Sequence, residues 1–156
     1  MTATVSIVPR GETDLVLTRS FKAPRQLVFD AHTKPELLQR WLGVRGGWTF
    51  PICEVDLRVG GKYRWVWRKE AKNLEMVSSG VFREIDEPAR LVFTEKFDWY
   101  DGESLVSYDF EQADGITTLT MAMAYSSREV RDQVAKSGME TGMEESYANL
   151  DTILER

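Results

Sequence analysis

A chain of 156 residues has the length of one domain and buries about 70% of its unfolded surface on folding. With 25 acidic residues against 20 basic ones, its formal net charge of −5 argues against a nucleic-acid partner, and no apolar run approaches the ~18 residues of a membrane span. One cysteine excludes an internal disulfide; with one histidine beside it, a His/Cys zinc cage is out of reach, so neither metal nor cofactor is expected.

Residues 1–12 read as a loose arm ending in the Pro9-Arg10-Gly11 turn. Their scattered polar residues lack the basic-then-apolar order of a signal peptide, which makes a cytoplasmic protein the expectation. From Thr13 to Phe21 the pattern is that of a strand, with Leu15, Leu17 and Arg19 alternating against Val16, Thr18 and Ser20. Pro24 suits the first turn of a short helix carrying Leu27, Val28 and Ala31, because its missing N–H is not needed there. Pro35 opens a second through Leu37, Leu38 and Trp41, with Glu36 well placed against the helix dipole; Gly43, Gly46 and Gly47 end it.

A long β region follows. Strand patterns cover Trp48–Arg58, Tyr63–Lys69, Glu75–Ile85, Leu91–Trp99, Ser104–Gln112 and Thr117–Tyr125. Between them lie Gly60-Gly61, Lys72-Asn73, Glu87-Pro88, Asp101-Gly102 and Asp114-Gly115, turn pairs of which the Asp-Gly and Gly-Gly ones tolerate positive φ. Six hairpin-linked strands make an antiparallel meander, with the N-terminal strand as a seventh; without βαβ alternation a doubly wound fold is excluded.

Alternation assigns the inward face. Tyr63, Trp65 and Trp67 share one side of their strand against Arg64, Val66 and Arg68. Val106, Tyr108 and Phe110, and then Leu119, Met121, Met123 and Tyr125, do the same on theirs. Leu91, Phe93 and Phe97 have a parity that also turns Glu95 inward unless a bulge shifts it, and a buried carboxylate needs a partner such as an arginine or must titrate upward.

Ser127 to Arg156 read as an amphipathic helical region, capped by Ser126 or Ser127. Val130, Val134, Met139, Met143, Tyr147, Leu150 and Leu154 lie on one side; Glu140, Glu144, Asp151 and Glu155 lie on the other. Gly138 and Gly142 each cost about 1 kcal/mol of helix stability relative to alanine. Two readings stand: a helix over the sheet with a hinge at Gly138, or the lid of a cavity. A hollow lined by aromatic rings and methionines suits a flat apolar ligand. Its candidate lining is Trp41, Trp48, Trp65, Trp67, Phe93, Phe97, Met139, Met143 and Tyr147, with polar orientation from Glu95, Tyr108 or Arg64 and the glycine turn near its entrance.

Three segments carry a family resemblance: residues 21–43 (Phe21-Lys22-Ala23-Pro24-Arg25 through Thr33-Lys34-Pro35-Glu36 to Trp41-Leu42-Gly43), Cys53 to Arg64, and Glu87 to Thr94. They resemble the signatures of SRPBCC (START-like) domains, in the branch named after the activator of the heat-shock-protein-90 ATPase. The resemblance implies an α+β helix-grip fold: a curved antiparallel sheet around a long C-terminal helix, two short helices after the first strand, and a cavity between. It also implies an apolar small-molecule or lipid ligand, with a polyketide cyclase/aromatase activity or a chaperone partner as alternatives. His32 stands where many relatives carry tryptophan, which points to a change at the mouth or edge of the hollow.

No catalytic set is legible. There is no G-x-S-x-G elbow, and the lone histidine lies far in sequence from Ser126 and Ser127. Cys53 reads as a core thiol, Glu54 and Asp56 as solvated, and Glu95, Asp98 and Glu103 as surface charge at the sheet edge. The expectation is a non-enzymatic binding domain, monomeric or homodimeric, with Glu95, Tyr108 and His32 as the only acid–base candidates.

Overall fold

The computed structural model describes residues 4–99 and 102–155. Strand β1 (Ser6–Arg10) turns at Gly11 into β2 (Asp14–Phe21), and the short helices α1 (Arg25–Thr33) and α2 (Pro35–Trp41) follow. Six strands then run in succession: β3 (Trp48–Val55), β4 (Lys62–Lys69), β5 (Leu74–Asp86), β6 (Arg90–Phe97), β7 (Ser104–Ala113) and β8 (Ile116–Ala124). Helices α3 (Arg128–Ala135) and α4 (Met139–Leu154) close the chain. The sheet order is β1-β2-β8-β7-β6-β5-β4-β3, with every neighbouring pair antiparallel. The mixed α+β architecture matches the expected fold class, with eight strands where six or seven were expected.

The additional strand corrects the loose arm. Ile7 pairs with Leu17 and Val8 with Val16, and Val5 is buried against the core, so residues 6–10 have both ladder bonds and apolar contacts to hold them. Asp114-Gly115 forms the expected two-residue hairpin, both residues at positive φ, between Ala113 and its partner Ile116. Asp101 of the other Asp-Gly pair lies outside the described residues.

The parities read from the sequence hold. Leu15, Leu17 and Phe21 of β2, Tyr63, Trp65 and Trp67 of β4, and Leu119, Met121 and Met123 of β8 are all buried. Register stacks these rows across the sheet: Leu17 opposes Met121, which opposes Tyr108.

The final helical region is two helices rather than one hinged helix. The Ser127 hydroxyl oxygen accepts the Val130 N–H at 3.2 Å and caps α3. Gly138, at φ +88°, adopts the left-handed conformation that breaks the chain before α4. Tyr147 and Leu150 of α4 are fully buried. Asp151, expected on the solvent side, is drawn in by Arg19, whose guanidinium donates to both carboxylate oxygens at 2.7 and 2.6 Å and stands 4.9 Å from the Phe21 ring centre. That pair explains an arginine on the inward face of β2 and anchors α4 to the sheet.

Candidate functional site

Between the sheet and the first turns of α4 lies a cavity of about 550 Å³. Its floor is the inward face of β4 to β8: Trp65, Trp67, Met76, Glu95, Phe97, Val106, Tyr108, Met121 and Met123. Its roof is Val134 of α3, Ser137 and Gly138 of the break, and Met139, Gly142, Met143 and Ser146 of α4. Leu42, Gly43 and Arg45 form one side of the rim; Glu75, Asp98, Trp99 and Tyr125 complete the lining. A volume of this size is typical of small-molecule sites, and the lining is predominantly apolar.

The turn after α2 is fixed to α4 by three contacts. The Gly43 N–H donates to the Ser146 hydroxyl at 3.0 Å, the Asn149 amide donates to the Val44 carbonyl at 3.1 Å, and Arg45 pairs with Glu145 at 3.3 Å. Gly43 sits at φ +70°, and a Cβ there would lie 2.6 Å from Nε1 of Trp67, whose N–H donates to the Leu42 carbonyl. Glycine is therefore required for the turn to lie flat on that indole. Gly142 serves a different purpose: a Cβ there would approach the Arg45 guanidinium at 2.9 Å, so this position leaves room for a rim side chain.

Seven of the eleven expected lining residues face the cavity: Trp65, Trp67, Glu95, Phe97, Tyr108, Met139 and Met143. The other four do not line it. Trp41 is buried, stacked 5.2 Å from Tyr147, with its N–H on the Ala31 carbonyl. Phe93 packs among Tyr63, Phe82 and Tyr108, and Trp48 is half-buried against the core. Trp41, Tyr147 and Phe93 fill the covered part of the sheet, which parity alone could not separate from its open part, while Trp48 sits on the edge strand next to Arg45. Arg64, expected as a polar orienter, lies on the outer face, 3.9 Å from Glu54. The methionines of β8, together with Tyr125, Leu42 and Trp99, line the hollow without having been assigned to it; Met121 and Met123 already carried an inward parity.

Glu95 is the one acidic side chain on the cavity floor, and it is not surface charge at a sheet edge: β6 lies inside the sheet, between β5 and β7. Its carboxylate has no hydrogen bond or ion pair among the described residues, and burial pushes its pKa from 4.5 up to about 7. The Tyr108 hydroxyl likewise makes no hydrogen bond among the described residues, and burial raises its pKa well above 10, with Tyr147 and Glu95 adding to the shift. The two groups differ from His32, which is buried in the core and away from the cavity mouth. Its Nδ1–H donates to the Val28 carbonyl at 2.7 Å, so Nε2 accepts the Tyr147 hydroxyl at 3.1 Å. Burial lowers the imidazole pKa to about 4, against the opposing effect of the Val28 bond. With both nitrogens engaged and the ring enclosed by Phe21, Trp41, Tyr108 and Phe110, His32 is a structural side chain. Cys53 is half-buried, its thiol pushed up to about 12 by burial and then by Glu36, which leaves it a poor nucleophile. Among the described residues, no cluster of three or more His, Cys, Asp or Glu side chains suits a metal ion, and no helix is long and apolar enough to cross a membrane.

The family model of the Activator of Hsp90 ATPase homolog 1-like protein matches residues 22–155. Among solved structures, a protein from Rhodobacter sphaeroides is 36% identical, with a TM-score of 0.92 over 97% of this chain and 98% of its own. A protein from Nitrosomonas europaea is 26% identical, with a TM-score of 0.81 over 95% of this chain and 98% of its own. An HSP90 activator from Plasmodium falciparum is 26% identical, with a TM-score of 0.65 over 92% of this chain and 96% of its own. No curated protein matches the chain.

Proposed function

The chain belongs to the Activator of Hsp90 ATPase homolog 1-like family, within the SRPBCC superfamily, and on that footing we propose that it binds an apolar small molecule between its sheet and α4. The observation that carries the reading is the cavity of about 550 Å³, walled by indoles, phenyl rings and thioethers and roofed by the end of α3, the break at Gly138 and the first turns of α4. Methionines suit this role because their flexible, polarisable side chains repack around differently shaped ligands. Burial of the ligand's apolar surface contributes about 25 cal/mol per Å², offset by the cost of association. The test is an NMR titration of the full chain with a panel of flavonoids, fatty acids and apolar aromatic amines. Binding at the site shifts the methyl signals of Met139 and Met143 and the indole signals of Trp65 and Trp67; resonances that stay fixed across the panel overturn the proposal.

A second reading has its own support in the family's name and in the likeness to the Plasmodium falciparum HSP90 activator. In it the chain docks on a chaperone through its exterior, leaving the cavity unused. Stimulation of a purified Hsp90 ATPase by this chain supports that reading, and a rate unchanged at saturating concentration removes it.

A further inference from the structure

Resting on the cavity reading, we propose that the occupant is an apolar amine, an aromatic body carrying a protonated nitrogen that Glu95 receives. The polar groups of the floor are a carboxyl without a counter-charge, Glu95, and a phenol, Tyr108, that can donate or accept. Glu95 has no partner among the described residues, and Tyr108, which shares the floor with it, is 8% exposed with its hydroxyl unbonded and open to the cavity. The indole N–H groups of the walls are withdrawn from an occupant. Trp67 gives its N–H to the Leu42 carbonyl, while the Trp65 N–H has no accessible surface, so that ring meets an occupant with carbon. The Arg45 guanidinium stands at the rim, in an exposed ion pair with Glu145.

The walls agree with the floor. Trp65, Trp67, Phe97, Trp99, Tyr108 and Tyr125 line the space, and an aromatic lining can attract an ammonium group through its π faces. At the rim Glu75 pairs with Arg68 and Arg45 with Glu145, which leaves Asp98 as the one rim charge without an ion pair among the described residues. No charged side chain enters from α3 or α4, whose contributions to the lining are Val134, Met139, Gly142, Met143 and Ser146. An ammonium supplies the counter-charge the carboxylate lacks. A fatty acid instead places a second carboxylate beside the first, so this inference narrows the ligand class and does not merely fill the volume.

Three isosteric probes test it on the full chain by calorimetry at pH 7.5: 4-phenylbenzylamine, 4-phenylbenzyl alcohol and 4-phenylbenzoate. The amine is expected to bind about tenfold more tightly than the alcohol, and the benzoate most weakly. Glu95→Gln is expected to abolish the amine's advantage over the alcohol. In the unmodified protein, amine affinity is expected to fall about tenfold between pH 8 and pH 6, as Glu95 takes up its proton with a pKa of about 7, while the alcohol shows no such fall. Equal binding of amine and alcohol, tightest binding of the benzoate, or an advantage that survives Glu95→Gln overturns the amine assignment and leaves the apolar cavity standing. Failure of all three probes to bind overturns both.

Discussion

Glu95→Gln is the sharpest probe of the cavity's energetics, because it removes a charge and leaves the shape. The Glu95 carboxyl has a pKa of about 7 in the folded chain against 4.5 in an unfolded one, a difference worth about 3 kcal/mol. Cavity water screens part of this, so about 2 kcal/mol is expected in practice. The sign follows from the direction of the shift. Below pH 4.5 the group is protonated in both states and costs nothing; between pH 4.5 and 7 the unfolded chain ionises while the folded one resists. The penalty therefore grows through that window and is constant above it. Urea unfolding of both proteins at pH 4, 5, 6, 7 and 8 measures it, and the difference between them cancels every other titrating group. Glu95→Gln should match the parent at pH 4 and exceed it by about 2 kcal/mol at pH 8. A difference that is flat with pH, or a destabilised variant at pH 8, refutes the unpartnered carboxylate.

His32 should show the opposite slope. Its pKa is lowered from 6.5 to about 4, so the stability present above pH 6.5 is lost as pH falls toward 4, and the lone imidazole resonance should remain that of the neutral ring down to about pH 4 when followed by NMR. Asp151→Ala strands the buried Arg19 guanidinium and should cost about 3 kcal/mol in urea unfolding, whereas Arg19→Met combined with Asp151→Leu should recover most of it. Gly43→Ala should cost about 2 kcal/mol and alter tryptophan emission, because its Cβ meets the Trp67 indole at positive φ; Gly142→Ala should leave stability equal or raise it by up to about 1 kcal/mol, since Arg45 swings aside and the helix gains propensity.

Strand parity was legible because one face of this sheet is buried, and period-two alternation records that burial residue by residue. It placed Trp65, Trp67, Tyr108 and Met121 inward, and it forced Glu95 inward against its chemistry. Parity carries no information on position along the strand, however. Phe93 and Phe97 share one face of β6, yet Phe93 is clasped by Tyr63, Phe82 and Tyr108 while Phe97 lies at the cavity. What separates them is where α1, α2 and the second half of α4 cover the sheet, a long-range fact. The Arg19–Asp151 pair, 132 residues apart, escaped for the same reason, and helical periodicity consigned Asp151 to solvent. β1 was missed because Pro9 and Gly11 read as loop residues, although an edge strand tolerates proline.

Helix α4 divides into an anchor and a roof, and that division predicts where a ligand is felt. From Ser146 onward the helix is held by Tyr147 against Phe21 and Trp41, by Leu150 in the core, and by Asp151 on Arg19. Before Ser146 it begins at a left-handed glycine with no side-chain cap and is tied by Glu144 to the Val5 N–H and by the exposed Glu145–Arg45 pair. Met139 and Met143 rest against the core on one side and face open volume on the other. Local opening follows packing, so amide exchange in the empty protein should be fast through residues 139–145 and slow from Tyr147 to Leu154. A cavity ligand gives the roof the contacts it lacks and adds nothing to the anchor. Saturation with a ligand at 100 times its Kd should slow exchange in the first segment by up to about a hundredfold wherever opening releases the ligand. The second segment should change only by whatever global unfolding contributes. Mass spectrometry of peptides split near Ser146 reads the two segments separately. Equal protection along the whole helix before any ligand is added contradicts the division, and it places the flexible element of this fold somewhere other than above the cavity.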